Sequence, residues 1–152
     1  MKETDKYYTK EMGKVWRAGV IPYIINEDNE IEMMFMRPSE TEHGGNKYQL
    51  AKGKLEEGET PEEGGIREAK EELGLFVGNI EDLYQVDVFL GRTYVYNAKV
   101  KDKDMFGLPH HETESTKWLT LEQFMIEGRD LHKPVIQAAH RAMVKKEEIE
   151  VK

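Results

Sequence analysis

The sequence predicts an α/β layered domain, a mixed or mostly antiparallel sheet packed by helices. Three observations predict it. Short β-rich apolar runs recur along the chain, at 15–25, 31–37, 82–90, 93–100 and 115–120. Between them lies one stretch with strong helix punctuation, residues 60–74. A second pattern of helical period closes the chain at 134–148. With 152 residues, the chain is most economically one domain over 1–152, with residues 1–13 as a polar arm.

The elements follow in order. "VWRAGVIPYII" (15–25) is apolar and β-rich; "NEDNE" turns the chain, and "IEMMFMR" (31–37) returns as a second strand. "PSETEHGGNK" (38–47) reads as an exposed loop and "YQLAKG" (48–53) as a short strand. Thr60 then caps a helix, Pro61 suits its first position and Glu63 completes a capping box, a start worth on the order of 1 kcal/mol. Gly74 can stop that helix in the left-handed conformation. Strands at "DLYQVDVFL" (82–90) and "TYVYNAKV" (93–100) flank a hinge at Gly91-Arg92, and "KDKDMFGLPHHE" (101–112) is a loop before "STKWLT". Thr120 and Gln123 are spaced to cap the short helix "LEQFMIE". In the last helix Val135, Ala138, Ala139, Ala142 and Met143 recur at helical spacing, with Pro134 in the first turn.

Composition limits the partners. The formal net charge of -8 argues against a broad basic surface for duplex DNA. There is no cysteine, which excludes disulfides, a thiolate metal site and a thiol nucleophile. No apolar run is long enough to span a membrane, and "MKETDKYYTK" carries no signal-peptide apolar region. A cytoplasmic protein without a membrane partner is expected.

The helix at 60–74 raises a question of charge. Wound at about 100° per residue, it puts Ile66, Ala69 and Leu73 on the core side and Glu68, Glu71 and Glu72 on the opposite face, with Arg67 at the edge. Like-charge pairs at these spacings each cost roughly 0.2–0.5 kcal/mol. A solvated acidic face is the ordinary reading of such a stripe. A hard divalent cation explains the crowding better, because Mg²⁺ takes carboxylate oxygens together with substrate phosphates. Gly64 and Gly65 fall on the carboxylate side, where they leave room for a ligand or for the preceding loop, or simply pack closely.

Residues 53–75, "GKLEEGETPEEGGIREAKEELGL", resemble the Nudix box, in which Gly, Glu, Arg-Glu, an aliphatic residue, Glu-Glu, Gly and a second aliphatic residue occur at fixed intervals. Gly53, Glu59, Arg67, Glu68, Ala69, Glu71, Glu72, Gly74 and Leu75 occupy those places. The resemblance implies an α/β/α sandwich and a hydrolase of nucleoside diphosphates linked to another group, dependent on Mg²⁺ or Mn²⁺. It implies that Glu68, Glu71 and Glu72 are metal ligands, with the Gly53 carbonyl a further candidate. Glu68 is also a candidate base, Arg67 orients the glutamates, and Glu59 supports Arg67.

Resemblance outside the box bears on substrate. "YQLAKGK" (48–54) resembles the entry to the box in diadenosine tetraphosphate hydrolases and in RNA decapping members. Tyr48 takes the aromatic place and Lys52 a phosphate contact, while Ala51 stands where that group has proline. "WRAGVI" (16–21) resembles the first strand of the same group, which makes Arg17 a candidate phosphate contact; Arg37 is a weaker one. "HETESTKWL" (111–119) resembles a late strand preceded by a glutamate. That points to Glu112, with Glu114 the alternative, as an outlying metal ligand or the base. His110 and His111 share that loop and read as solvent-facing. Trp118 reads as core. Tyr94 and Tyr96 either pack or face a nucleobase. Dinucleoside polyphosphates lead as substrates; an RNA 5′ end, ADP-ribose and FAD are alternatives. A nucleotide-sensing module without turnover is the non-enzymatic alternative, which degenerate glutamates would favour; all are intact here.

Overall fold

Strand β1 (Arg17–Ile25) sends its side chains alternately into two cores. Ile21 and Tyr23 join one apolar cluster; Ala18 and Val20 join the other. A strand buried on both faces needs cover on both faces, and helices supply it. The computed structural model describes residues 16–39, 46–86 and 93–149. Within them the order is β1, β2 (Ile31–Pro38), β3 (Ala51–Lys54), α1 (Pro61–Leu73), β4 (Ile80–Gln85), β5 (Thr93–Val100), β6 (Thr113–Leu119), α2 (Leu121–Glu127) and α3 (Lys133–Glu147). Helix α1 packs on one face through Ala69 and Leu73, with Ile66 only partly buried. On the other face, α2 and α3 pack through Phe124, Val135, Ile136, Ala139 and Met143. The expected α/β/α sandwich with a mixed sheet is the fold.

The sheet runs β4-β5-β1-β2-β6, and β3 attaches to β1 off that path. The β1–β5 pairing is parallel, Arg17 opposite Thr93; the other pairings are antiparallel. One edge of β1 is shared. Its first half pairs with β3 (Arg17↔Lys54 to Val20↔Ala51), and its last half with β2 (Tyr23↔Met33 to Ile25↔Ile31). The sheet therefore forks at β1, and β3 has no second strand beside it among the described residues.

Several element ends differ from expectation. The strand expected at 82–90 begins earlier, at Ile80, and is described to Gln85, because β5 supplies partners from Val100 to Tyr96. The strand expected at 48–53 begins only at Ala51; Tyr48 and Gln49 instead make isolated bridges to Gly128 and Met36. Strand β6 starts at Thr113, which pairs with Pro38. The arm at 1–13, residues 40–45 of the loop at 38–47, and the hinge at Gly91-Arg92 lie outside the described residues. Central β5 is buried from Thr93 to Ala98, so Tyr94 and Tyr96 are packing residues and not a nucleobase platform; Tyr94 stacks on Trp16 at 5.1 Å. Trp118 meets Phe106 edge-on and packs against the α1-side core. No helix of the described residues is long and apolar enough to cross a membrane.

Candidate active site

Helix α1 begins and ends where its sequence dictates. The Thr60 side chain accepts from the Glu63 amide, Glu63 reaches back to the Thr60 amide, and Gly74 closes the helix at φ 78°. The two glycines inside it serve close packing. A Cβ on Gly64 would overlap Leu55 of the preceding loop. One on Gly65 would stand 3.0 Å from Val20 Cγ2, so Gly65 faces β1 and not the carboxylate side assigned to it above. The helix and β1 thereby approach each other more closely than side chains would allow.

That approach lays the glutamate face against β3. Ala51 and Gly53 point toward α1, while Lys52 points to the other face of the sheet with Leu50. A Cβ on Gly53 would overlap the Glu68 carboxylate. We expect Gly53→Ala to push Glu68 aside and lower turnover at least tenfold with little change in Tm; equal kcat in the two proteins would show that Glu68 needs no such seat.

Arg67 ties the cluster together. Its Nε donates to Glu59 Oε2 at 2.7 Å and its Nη2 to Glu59 Oε1 at 3.0 Å, a two-pronged grip. Nη1 donates to Glu68 Oε1 at 2.8 Å and reaches Glu71 Oε1 at 3.5 Å, and Nη2 also donates to the Lys54 carbonyl at 2.9 Å. Burial pushes the Glu59 carboxyl up, but the bonds from Arg67 and from the Glu56 amide outweigh it and hold Glu59 below the usual carboxylate range. Glu68 ends above that range: burial raises it, Arg67 opposes, and the neighbouring Glu71 adds to the rise. Glu72 is pushed up to about 8, first by burial and then by the charge of Glu68, although the Lys52 amide donates to its Oε2 at 3.2 Å. Two crowded carboxylates thus resist ionisation beside the Arg67 guanidinium.

The loop carrying Glu112 docks on the C-terminal end of α1. The His110 amide donates to the Glu71 carbonyl, Thr113 Oγ1 to the Glu72 carbonyl at 2.9 Å, and Ser39 fixes the Glu112 carbonyl at 2.9 Å. Glu112 is exposed, and its carboxylate lies within 4.8 Å of ring nitrogens of His110 and His111, a group able to hold a metal ion. Glu114 is exposed on β6. An open cavity beside the glutamate face is lined by Arg67, Lys70, Glu71, Phe76, Leu108 and His110.

The remaining candidates lie on the far face of β3. Tyr48 is buried, its hydroxyl 3.0 Å from Ser115 Oγ, and the Arg37 guanidinium stands 5.8 Å from its ring centre. Burial and then the charge of Arg17 lower Lys52, Glu72 opposes, and Arg129 lowers it further. Sequence reasoning missed Arg129 and His132. Neither belongs to a motif, and only the return of the chain after α2 brings them to β3. His132 is fully buried; its Nδ1 accepts from the Leu50 amide at 3.1 Å, and burial, Lys52 and Arg129 together bring its pKa down to about 3.

Comparisons with known proteins agree with this geometry. The model of the NUDIX domain matches residues 15–139. The chain belongs to the NUDIX domain family, and it is a hydrolase acting on pyrophosphate bonds. Enzymes of this family generally use divalent metal ions. Among solved structures it is similar to a binary complex of the Ap4A hydrolase of C. elegans, with TM-score 0.69 and 20% identity over 87% of this chain and 99% of that one. It is similar to the Nudix hydrolase RenU of M. smegmatis, with TM-score 0.69 and 14% identity over 86% of each chain. It is also similar to the NUDIX domain of Shewanella oneidensis NrtR complexed with ADP ribose, with TM-score 0.66 and 16% identity over 93% and 99%. At these identities the likeness is one of fold.

Proposed function

We propose that this chain is a divalent-cation-dependent pyrophosphohydrolase that cleaves the phosphoanhydride bridge of a nucleoside diphosphate linked to a second moiety, with dinucleoside polyphosphates preferred. The observation that carries the reading is the seating of Glu68 and Glu72 against β3, the Glu68 carboxylate where a Cβ on Gly53 would stand and Glu72 on the Lys52 amide, with burial raising both carboxyls. Such a pair calls for more positive charge than Arg67 supplies. Oxygen donors alone make the set, which suits Mg²⁺ or Mn²⁺. Glu68, Glu71, Glu72 and the Gly53 carbonyl would hold the cation, with Glu112 joining from its loop. When bound, the cation neutralises phosphate oxygens and lowers the pKa of the attacking water.

The chain's own groups do the rest. Arg67, fixed by Glu59, keeps Glu68 and Glu71 in place. Glu68, held above the usual carboxylate range by burial, takes the proton of the attacking water; Glu112 is the alternative base. Lys52 and Arg17 meet the phosphates that are not attacked, each charge-assisted contact worth roughly 1.5–3 kcal/mol. Arg37 and Tyr48 border the same face.

The substrate is tested by comparing Mg²⁺-dependent kcat/KM for diadenosine tetraphosphate, ADP-ribose, FAD and 5′-triphosphorylated RNA. Diadenosine tetraphosphate is expected to lead ADP-ribose by at least tenfold, about 1.4 kcal/mol. Lys52→Ala should cost the tetraphosphate more than ADP-ribose, because the longer bridge carries more charge. A tenfold lead for ADP-ribose, the ligand of the NrtR domain, or for FAD or RNA would transfer the assignment to that substrate.

A further inference from the structure

The loop between β5 and β6 carries a second set of metal donors, of different chemistry from the helix face. His110, His111 and Glu112 are exposed, and one donor atom from each lies within 4.8 Å of the other two. The two imidazole rings stand 3.9 Å apart between centres. Among the described residues no hydrogen bond or ion pair engages the side chain of any of the three.

Their main chain, by contrast, is pinned on two sides. The His110 amide donates to the Glu71 carbonyl of α1, and the His110 carbonyl accepts from the Thr113 amide at 2.9 Å. Ser39, just past β2, donates its Oγ to the His111 carbonyl and its amide to the Glu112 carbonyl, both at 2.9 Å. A loop fixed in its backbone, with three unengaged donors, needs only side-chain rotation to close on an ion. Tetrahedral Zn²⁺ with bonds of about 2.1 Å holds its ligands roughly 3.4 Å apart. Exposed side chains reach that spacing without disturbing the core.

The donor set decides the ion. Carboxylates alone suit Mg²⁺ or Mn²⁺; two imidazole nitrogens and one carboxylate favour Zn²⁺ and its late first-row neighbours. Three protein ligands leave a fourth position for water or a phosphate oxygen. His110 also lines the cavity beside the glutamate face, with Arg67 and Glu71. We propose that His110, His111 and Glu112 form a transition-metal site of the Zn²⁺ class beside that cavity, and that an ion held there withdraws Glu112 from hydrolysis. On the reading under Proposed function, Glu112 joins the helix-bound cation or serves as base. Zinc ligation occupies the oxygen that either task needs, so Zn²⁺ inhibits a reaction run on Mg²⁺.

Calorimetry of the protein in excess Mg²⁺, titrated with Zn²⁺, reads the site apart from the helix glutamates. Wild type and Glu72→Gln are expected to take up one equivalent with affinities within twofold of each other. His111→Ala and Glu112→Gln should each bind at least tenfold more weakly, and His110→Ala/His111→Ala at least a hundredfold, with Tm unchanged because these side chains bond nothing in the fold. Co²⁺ in place of Zn²⁺ should give wild type the intense visible bands of a four-coordinate ion, which the double variant lacks. On the best substrate of the series at saturating Mg²⁺, Zn²⁺ at the concentration that fills the wild-type site should cut wild-type kcat at least tenfold. His111→Ala, equal to wild type without Zn²⁺, should lose less than twofold. Zn²⁺ held through the histidines with turnover unaffected leaves the site standing and removes Glu112 from the reaction. Wild type that takes up no Zn²⁺ in excess Mg²⁺ overturns the site. So does Zn²⁺ binding that stays within twofold of wild type in the folded double variant, or that vanishes in Glu72→Gln.

Discussion

Glu72→Gln is expected to lower kcat at least a thousandfold, about 4 kcal/mol of barrier, while the metal-free protein keeps or gains stability. The two effects share one cause. Glu72 is half-buried beside Glu68, accepts from the Lys52 amide, and holds its proton up to about pH 8. A glutamine reproduces that protonated, amide-bonded state, so folding loses nothing. It cannot reproduce the carboxylate that a cation requires.

The sign of the pH dependence follows. From its ordinary pKa of 4.5 up to about 8, Glu72 binds a proton in the folded chain that the unfolded chain has released. Its contribution to metal-free stability is full below pH 4.5 and is lost as pH rises through about 8, by up to about 1.4 kcal/mol per unit. Thermal unfolding of metal-free wild type and variant from pH 5 to 8.5 should show this slope in wild type and a shallower one in Glu72→Gln. Added Mg²⁺ should raise the wild-type Tm more at pH 8 than at pH 6.5, since binding displaces the proton. Undiminished turnover in the variant at saturating Mg²⁺ would remove Glu72 from the cation site.

Arg67→Lys is expected to lower kcat about a hundredfold and change KM less than threefold. One guanidinium grips Glu59 with two nitrogens, holds Glu68 and caps the Lys54 carbonyl. An ammonium keeps the charge but cannot span three directions from one plane. Glu59, only 15% exposed, loses half its grip, and Glu68 gains freedom to leave the wall of β3. Stability should fall by on the order of 1–2 kcal/mol. A variant that loses affinity for substrate and keeps kcat would make Arg67 a substrate contact and not a positioning residue.

How far the sequence could be read depends on how local each determinant is. The capping box at Thr60 and Glu63 and the left-handed Gly74 act within one turn, and α1 has the limits they mark. The carboxylate stripe was legible because helical period places it without knowledge of the sheet. Gly65 was misplaced because its role is to admit Val20, a contact across two elements. Tyr94 and Tyr96 alternate correctly, but alternation does not reveal that β5 is central and covered on both faces. Arg129 follows a glycine after a two-turn helix and carries no pattern. Its neighbours Gln49 and Lys52 lie far away in sequence, and only the folded chain assembles them.

The parallel pairing of β1 with β5 also governs how the chain reaches its native state. Arg17 meets Thr93 only after everything between them, including β2, β3 and the whole of α1, has been looped out. Closing so long a loop costs entropy before any contact repays it, so folding is slow for a chain of this size. The capped α1 can form early from local signals. Its glutamates become neighbours of Gly53 and the Lys52 amide only when β3, paired to β1, lies against α1. In refolding, Mg²⁺ affinity is therefore expected to emerge with the last, slowest phase and not with the early rise in helix signal.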